Sequence, residues 1–259
     1  MNEHDLLSRI RNEYQRILGP KLTGIYVHGS IAFGCFRWET SDIDFLVVVE
    51  SNLTMDEKEA LILTLLALDC LAPSKGFEMS VILRSVCRPF ADPTPFELHY
   101  SNAHRASYQR DLSGTCQMLQ GTDPDLAAHM TVVNHVGIVL CGAPVKTVFA
   151  PVPRQSYLRS IWYDVENAAE EVGCDPVYYV LNLCRVLAYL EDGLVLSKAQ
   201  GGEWGLLHMK EDRETIAAAL SAYLAGTAFS FGDGLCTFAD KMLRRIRENA
   251  DFFKLQPSK

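Results

Sequence analysis

The chain is 259 residues long, enough for one large domain or two smaller ones with a buried core. Hydrophobic residues make up 48% and charged residues 22%, a balance typical of globular proteins and not of disordered ones. The formal net charge of −8 argues against a protein that binds nucleic acid mainly through its phosphates, because such proteins need a basic face. A cationic small molecule is a better match.

The N-terminal segment and the cysteines indicate the compartment. The segment is charged and amphipathic, without the apolar core of a signal peptide. No run of about 18 uninterrupted apolar residues predicts a membrane span. The eight cysteines form no CxxC pair, and free thiols are typical of a reducing compartment. We expect a cytoplasmic protein, monomeric, with neither a membrane nor a nucleic-acid partner.

The first part of the chain alternates between helical and strand patterns. Apolar spacing predicts helices over 6–18 and 55–71 and strands over 22–28, 43–49 and 77–83. The 43–49 run is almost entirely apolar and rich in β-branched residues, so this strand is predicted to be covered on both faces. A Gly-Ser turn follows the first strand. The order predicts a small sheet flanked by helices.

The second part of the chain is predicted to be helical. A helix over 124–136 and a short apolar run at 137–140 precede prolines at 144, 151 and 153, which mark the most plausible domain boundary. Beyond it, helical spacing covers 154–172, 176–192, 195–208, 211–225 and 235–254. The sequence thus predicts an α+β fold, with a domain over 1–150 that contains the sheet and an all-helical domain over 151–259.

Two aspartates stand at the start of the second predicted strand. Asp42 and Asp44 are two residues apart, so on a strand their side chains point to the same face. Two carboxylates this close repel each other and need a cation or a proton between them. Magnesium prefers oxygen ligands and often bridges carboxylates to phosphates. The pair therefore indicates a metal site.

Gly29 and Ser30 end the first predicted strand. Glycine allows a phosphate to approach the backbone closely, and the serine hydroxyl and nearby N–H groups donate to anions. This turn is a candidate phosphate site.

Glu78 is the one charged residue in the apolar run over 77–83. A buried carboxylate is costly without a partner, and a metal held by Asp42 and Asp44 would provide one. Each feature alone has a plainer interpretation. A DxD is usually a solvated turn, Gly-Ser is often only a turn, and Glu78 could be an edge-strand charge that discourages sheet pairing. Their order along one sheet favours a common site.

The pattern Gly29-Ser30, eleven residues, then Asp42-Ile43-Asp44 followed by FLVVV resembles the signature of the DNA polymerase β-like nucleotidyltransferase superfamily. The resemblance implies a nucleotidyltransferase core with a small mixed sheet, two Mg²⁺ ions and a nucleoside triphosphate such as ATP. Asp42, Asp44 and Glu78 would hold the ions. A hydroxyl would attack the α-phosphorus and pyrophosphate would leave.

More narrowly, the chain resembles bacterial aminoglycoside adenylyltransferases of the streptomycin/spectinomycin branch, which add a helical C-terminal domain. That resemblance makes Glu78 the general base as well. It assigns nucleotide contacts to Gly29, Ser30, Arg185, Lys198 and Tyr223, and contacts with a cationic acceptor to Asp175 and Tyr178 as well as Glu78.

The residues of the helical domain also have plainer interpretations. Arg185 and Lys198 could be surface cations, Tyr223 a core residue, and Asp175, which precedes Pro176, a helix N-cap.

The sequence predicts magnesium-dependent transfer of AMP from ATP to a hydroxyl of an aminoglycoside, an aminocyclitol or a similar small polar acceptor. Two alternatives stay open. One is transfer to RNA or another acceptor, which the net charge disfavours. The other is a catalytically silent nucleotide-binding sensor, although all three carboxylates are present.

Overall fold

The computed structural model of the protein describes residues 2–227 and 234–249. The chain divides into two units between Val152 and Pro153. Within the described residues, none of the helices combines the length and apolar character needed to cross a membrane.

The first unit contains all the strands of the described chain. They are β1 (Leu22–Val27), β2 (Ile43–Val49), β3 (Phe77–Leu83), β4 (Thr94–Phe96), β5 (Leu98–Tyr100), β6 (Gly121–Asp123) and β7 (Ile138–Gly142). Its helices are α1 (Glu3–Leu18), α2 (Gly29–Ala32), α3 (Met55–Leu68), α4 (Arg84–Cys87), α5 (Arg105–Arg110), α6 (Leu112–Met118), α7 (Leu126–Val136) and α8 (Val145–Val148). Single 3₁₀ turns lie at Gly19–Lys21, Asp69–Leu71 and Asn102–His104.

Five strands form one sheet in the order β5-β3-β2-β1-β7, and β4 pairs with β6 separately. The central strands β2 and β3 are parallel, while β1 is antiparallel to both β2 and β7, and β5 is antiparallel to β3. The sheet is therefore mixed, as predicted. Every residue of β2 is buried, which confirms that this apolar strand is covered on both faces.

Alternate residues of the strands belong to two separate cores. One core contains Phe45, Val47, Met79 and Val81 together with apolar residues of α1 and α3, among them Leu6, Ile10, Tyr14, Leu61 and Leu65. The other contains Leu46, Val48 and Ile82 together with residues of α7, among them Leu126, Met130 and Val133. The period-2 alternation of the strands thus sends one set of side chains to each helical layer.

The described part of the second unit is helical throughout. Its helices are α9 (Arg154–Tyr163), α10 (Ala168–Glu171), α11 (Pro176–Asp192), α12 (Lys198–His208), α13 (Arg213–Ala225) and α14 (Leu235–Glu248), with a 3₁₀ turn at Lys210–Asp212. These helices and the mixed sheet confirm the predicted fold class.

Two helices end well before their predicted ends. The helix predicted over 154–172 is interrupted after Tyr163, where Val165 N–H donates to Trp162 O at 2.9 Å, a tighter turn than an α-helix makes. Asp, Val and Asn in this stretch are weak helix formers. The helix predicted over 235–254 is described to Glu248, and residues 250–254 lie outside the described part.

Candidate active site

The site lies at one edge of the sheet, where β1 ends and β2 and β3 begin. His28 N–H donates to Asp44 O at 3.0 Å, so the end of β1 is bonded to the start of β2. Ile43 N–H donates to Gly76 O at 3.0 Å and fixes the register in which Asp44 pairs with Glu78. Equivalent positions on neighbouring strands point to the same face, so this register brings the two carboxylates together.

The structure brings all three predicted acids together. One carboxylate oxygen from each of Asp42, Asp44 and Glu78 lies within 4.8 Å of the other two. Asp44 is 9% exposed, and the Glu78 side chain is 32% exposed. Three carboxylates this close and this shielded repel one another strongly unless a cation neutralises them. A donor set made only of carboxylate oxygens fits Mg²⁺.

The Gly29-Ser30 turn lies directly against these acids. Gly29 has φ +58°, a left-handed conformation, and a Cβ added there would overlap the Asp44 Oδ2 atom. Only glycine therefore lets the turn approach this carboxylate. Ser30 follows Gly29, and its buried Oγ has no hydrogen-bond partner among the described residues. A buried hydroxyl of this kind can donate to a phosphate oxygen.

Two histidines that sequence reasoning did not assign to the site also lie here. The rings of His28 and His129 have their centroids 4.6 Å apart, and His129 Nε2 lies 3.6 Å from Glu78 Oε1. Burial, together with the neighbouring His129, holds the pKa of His28 well below its ordinary value. The sequence carries a signal for His129: it lies three residues after Leu126 and next to Met130, on the apolar face of its helix.

A third histidine lies farther along the same face of the sheet. Ser80, two residues after Glu78 on β3, is hydrogen-bonded through Oγ to His99 Nδ1 at 2.9 Å. Burial is the main cause that lowers the pKa of His99 to about 4, so its ring is neutral at pH 7.

In the second unit, Asp175 caps α11: its Oδ1 accepts from Tyr178 N–H at 3.0 Å. The N-cap interpretation of Asp175 is therefore correct, and this role leaves its second carboxylate oxygen available to other donors. The Tyr178 ring lies under Lys198 Nζ, 5.1 Å from the ring centroid. A cation at this distance is attracted by the electron-rich ring face.

Arg185 lies on α11 and makes structural hydrogen bonds. Its Nε donates to Leu196 O at 2.8 Å, and its NH1 donates to Asn182 Oδ1 at 2.7 Å. The bond to Leu196 O ties the segment before Lys198 to α11, whereas the bond to Asn182 lies within the helix. Tyr223 is half-buried near the end of α13. The structure thus places Tyr178 beside Lys198, and it bonds Arg185 to the segment that precedes Lys198.

Two family models match the chain. The nucleotidyltransferase domain model matches residues 7–75, which include the Gly29-Ser30 turn and both aspartates but end before Glu78. With the observed sheet edge, this match makes the chain a nucleotidyltransferase by class. The model of the aminoglycoside adenylyltransferase C-terminal domain matches residues 147–244. The two matches in tandem support the aminoglycoside adenylyltransferase family for this chain.

Known proteins similar to the chain agree with this classification. The spectinomycin 9-adenylyltransferase of Enterococcus faecalis is 22% identical over 230 residues, which cover 86% of this chain and 88% of the relative. A crystal structure of the spectinomycin adenylyltransferase of that organism, with ATP and spectinomycin, matches with a TM-score of 0.78 at 21% identity. The match covers 95% of this chain and all of the other. At this identity the structural match establishes the fold.

Proposed function

We propose that the protein transfers AMP from ATP to a hydroxyl group of an aminoglycoside or aminocyclitol. The observation that carries the proposal is the convergence of Asp42, Asp44 and Glu78 beside a turn whose serine hydroxyl is buried without a partner. The similarity to a spectinomycin 9-adenylyltransferase supports the acceptor class.

Each group in the first unit then has a role. Asp42, Asp44 and Glu78 would hold two divalent cations. When bound, Mg²⁺ supplies positive charge that neutralises the triphosphate and lowers the pKa of a hydroxyl. The Gly29 backbone and the Ser30 hydroxyl bind phosphate oxygens. Glu78 accepts the proton of the acceptor hydroxyl as its oxygen bonds to the α-phosphorus of ATP, and the bond to pyrophosphate breaks.

We assign nucleotide contacts to the positively charged side chains of the helical unit, as the family resemblance implies. Lys198 and Arg185 would neutralise charge on the triphosphate, and Tyr223 would contact the nucleotide. Asp175 and Tyr178 would contact the acceptor, whose ammonium groups are attracted by a carboxylate and by an aromatic face.

A panel assay tests the proposal. Purified protein is incubated with ATP, Mg²⁺ and single aminoglycosides or aminocyclitols, spectinomycin and streptomycin included. Pyrophosphate release is measured, and mass spectrometry identifies the AMP adduct. We expect release with at least one acceptor and its loss when EDTA removes the metal.

An RNA oligonucleotide in the same assay separates the alternatives. Release with RNA and with no drug would contradict the proposed acceptor class. No release with any acceptor, while ATP still binds, would favour a silent nucleotide sensor.

A further inference from the structure

His129 is placed against the carboxylate that the proposed reaction uses as its base. It lies on α7, the helix that covers the face of the sheet to which Leu46 and Ile82 point. From there its Nε2 approaches Glu78 Oε1 to 3.6 Å, and its side chain is 19% exposed. The imidazole therefore fills the space beside one oxygen of Glu78.

Two elements of the fold hold the His129 ring. On the helix side, its neighbour Met130 is completely buried in the core beneath α7. On the sheet side, the ring packs on His28 with an interplanar angle of 33°. His28 is itself 4% exposed and is bonded through its backbone to Asp44. The position of Nε2 is thus set by the sheet and the helix together.

A glutamate needs such a neighbour more than an aspartate does. Glu78 has one more rotatable bond than Asp42 or Asp44, and its side chain is about one third exposed. A general base must lie within hydrogen-bond reach of the proton that it accepts, so a carboxylate that rotates between several orientations is a poorer base.

We propose that His129 is a positioning residue for Glu78: its ring, held by His28, keeps the carboxylate in the orientation from which it accepts the acceptor proton. The inference rests on the proposed function, because it takes Glu78 as the base. His129 itself contacts neither ATP nor the acceptor in this proposal.

Two substitutions separate positioning from packing. His129→Leu keeps apolar bulk and removes the ring nitrogen, whereas His129→Gln retains an N–H donor at a similar reach. We expect His129→Leu to lower kcat by about 10- to 100-fold, as for groups that orient a functional ligand. The KM for ATP should change little. His129→Gln should recover most of the lost kcat.

His135→Leu, on the same helix, is the matched control and should keep wild-type kcat. Thermal unfolding of all three variants shows whether each is folded. A wild-type kcat in folded His129→Leu, or equal losses in the Leu and Gln variants, would overturn the proposal.

A second readout does not depend on activity. Crystal structures of the wild type and His129→Leu are compared at Glu78. We expect one carboxylate orientation in the wild type and several, or a different one, in the variant. The same single orientation in both would overturn the proposal, even if no acceptor were found. Wild-type protein that transfers AMP to nothing would contradict the proposed function alone.

Discussion

The candidate residues of the two units are held in place by different means. In the first unit, Asp44 and Glu78 belong to adjacent strands whose pairing fixes their separation, and Asp42 lies just before the first of these strands. In the second, Arg185 and Lys198 lie on different helices, and the segment between them is tied down by a hydrogen bond from Arg185 to Leu196 O. Strand pairing brings side chains together through the backbone, whereas helices do so only through packing.

This difference teaches which residues have one role and which have two. The groups at the sheet edge include a buried serine hydroxyl without a hydrogen-bond partner among the described residues, and three acids whose carboxylate oxygens converge within 4.8 Å of one another. Arg185 and Asp175, by contrast, make hydrogen bonds that the helical fold itself needs. Substitutions of the three acids should therefore reduce activity with little loss of stability, and substitutions of Arg185 should reduce both.

The largest effect is expected at Glu78. Glu78→Gln removes the base and keeps the shape of the side chain, so kcat should fall by about 10²- to 10⁴-fold. The affinity for ATP, measured by calorimetry, should be largely retained. Glu13→Gln, on the exposed face of α1, is the control for loss of a carboxylate. Normal turnover by Glu78→Gln would show that another group is the base.

Acid should destabilise the first unit through His99. Its folded-state pKa of about 4 lies below the ordinary value of 6.5, so between these pH values the unfolded chain binds a proton that the folded chain does not. This contribution to stability is complete above pH 6.5 and is lost as pH falls to about 4. The free energy of unfolding should decrease by about 3 kcal/mol over this range.

Urea unfolding at several pH values measures that loss. His99→Asn, which retains a donor near Ser80 Oγ, should flatten the pH dependence of the free energy of unfolding between pH 6.5 and 4. Identical slopes for the variant and the wild type would show that His99 does not titrate in this way.

A pair of glycines separates backbone strain from site geometry. Gly29 and Gly34 both have positive φ, but a Cβ at Gly29 would overlap Asp44, whereas a Cβ at Gly34 would meet nothing within 4 Å. Alanine at either position should cost about 1 to 2 kcal/mol in the free energy of unfolding. Only Gly29→Ala should also lower kcat. Equal activities of the two folded variants would contradict the close approach of the turn to Asp44.

The smallest effects are expected in the helical unit. Lys198→Gln should raise the KM for ATP about tenfold, equivalent to about 1.4 kcal/mol. Arg185→Lys keeps the charge but loses the bond from Nε to Leu196 O, so the free energy of unfolding should also fall by about 1 kcal/mol. Steady-state kinetics and urea unfolding check both. An unchanged KM in Lys198→Gln would remove this lysine from the nucleotide site.

The sequence by itself determined strands β1 to β3, the long helices and the meeting of the three acids. The apolar runs at 43–49 and 77–83 predicted β2 and β3 with the observed bounds, and 176–192 predicted α11. These predictions succeeded because period-2 and period-3.6 patterns are local. They also succeeded because two aspartates that are two residues apart at the start of a strand point to the same face of the sheet. Local patterns failed where weak helix formers ended α9 at Tyr163.

Only the tertiary structure decided what surrounds the acids. His129 is separated from Glu78 by fifty-one positions in the sequence, and no spacing rule connects a residue of α7 with one of β3. Their contact depends on how α7 packs on the sheet, which the sequence pattern shows only as an apolar helix face. The overlap that makes Gly29 necessary likewise depends on the position of the Asp44 side chain. Long-range contacts of this kind follow from packing, and packing is not encoded in any single segment.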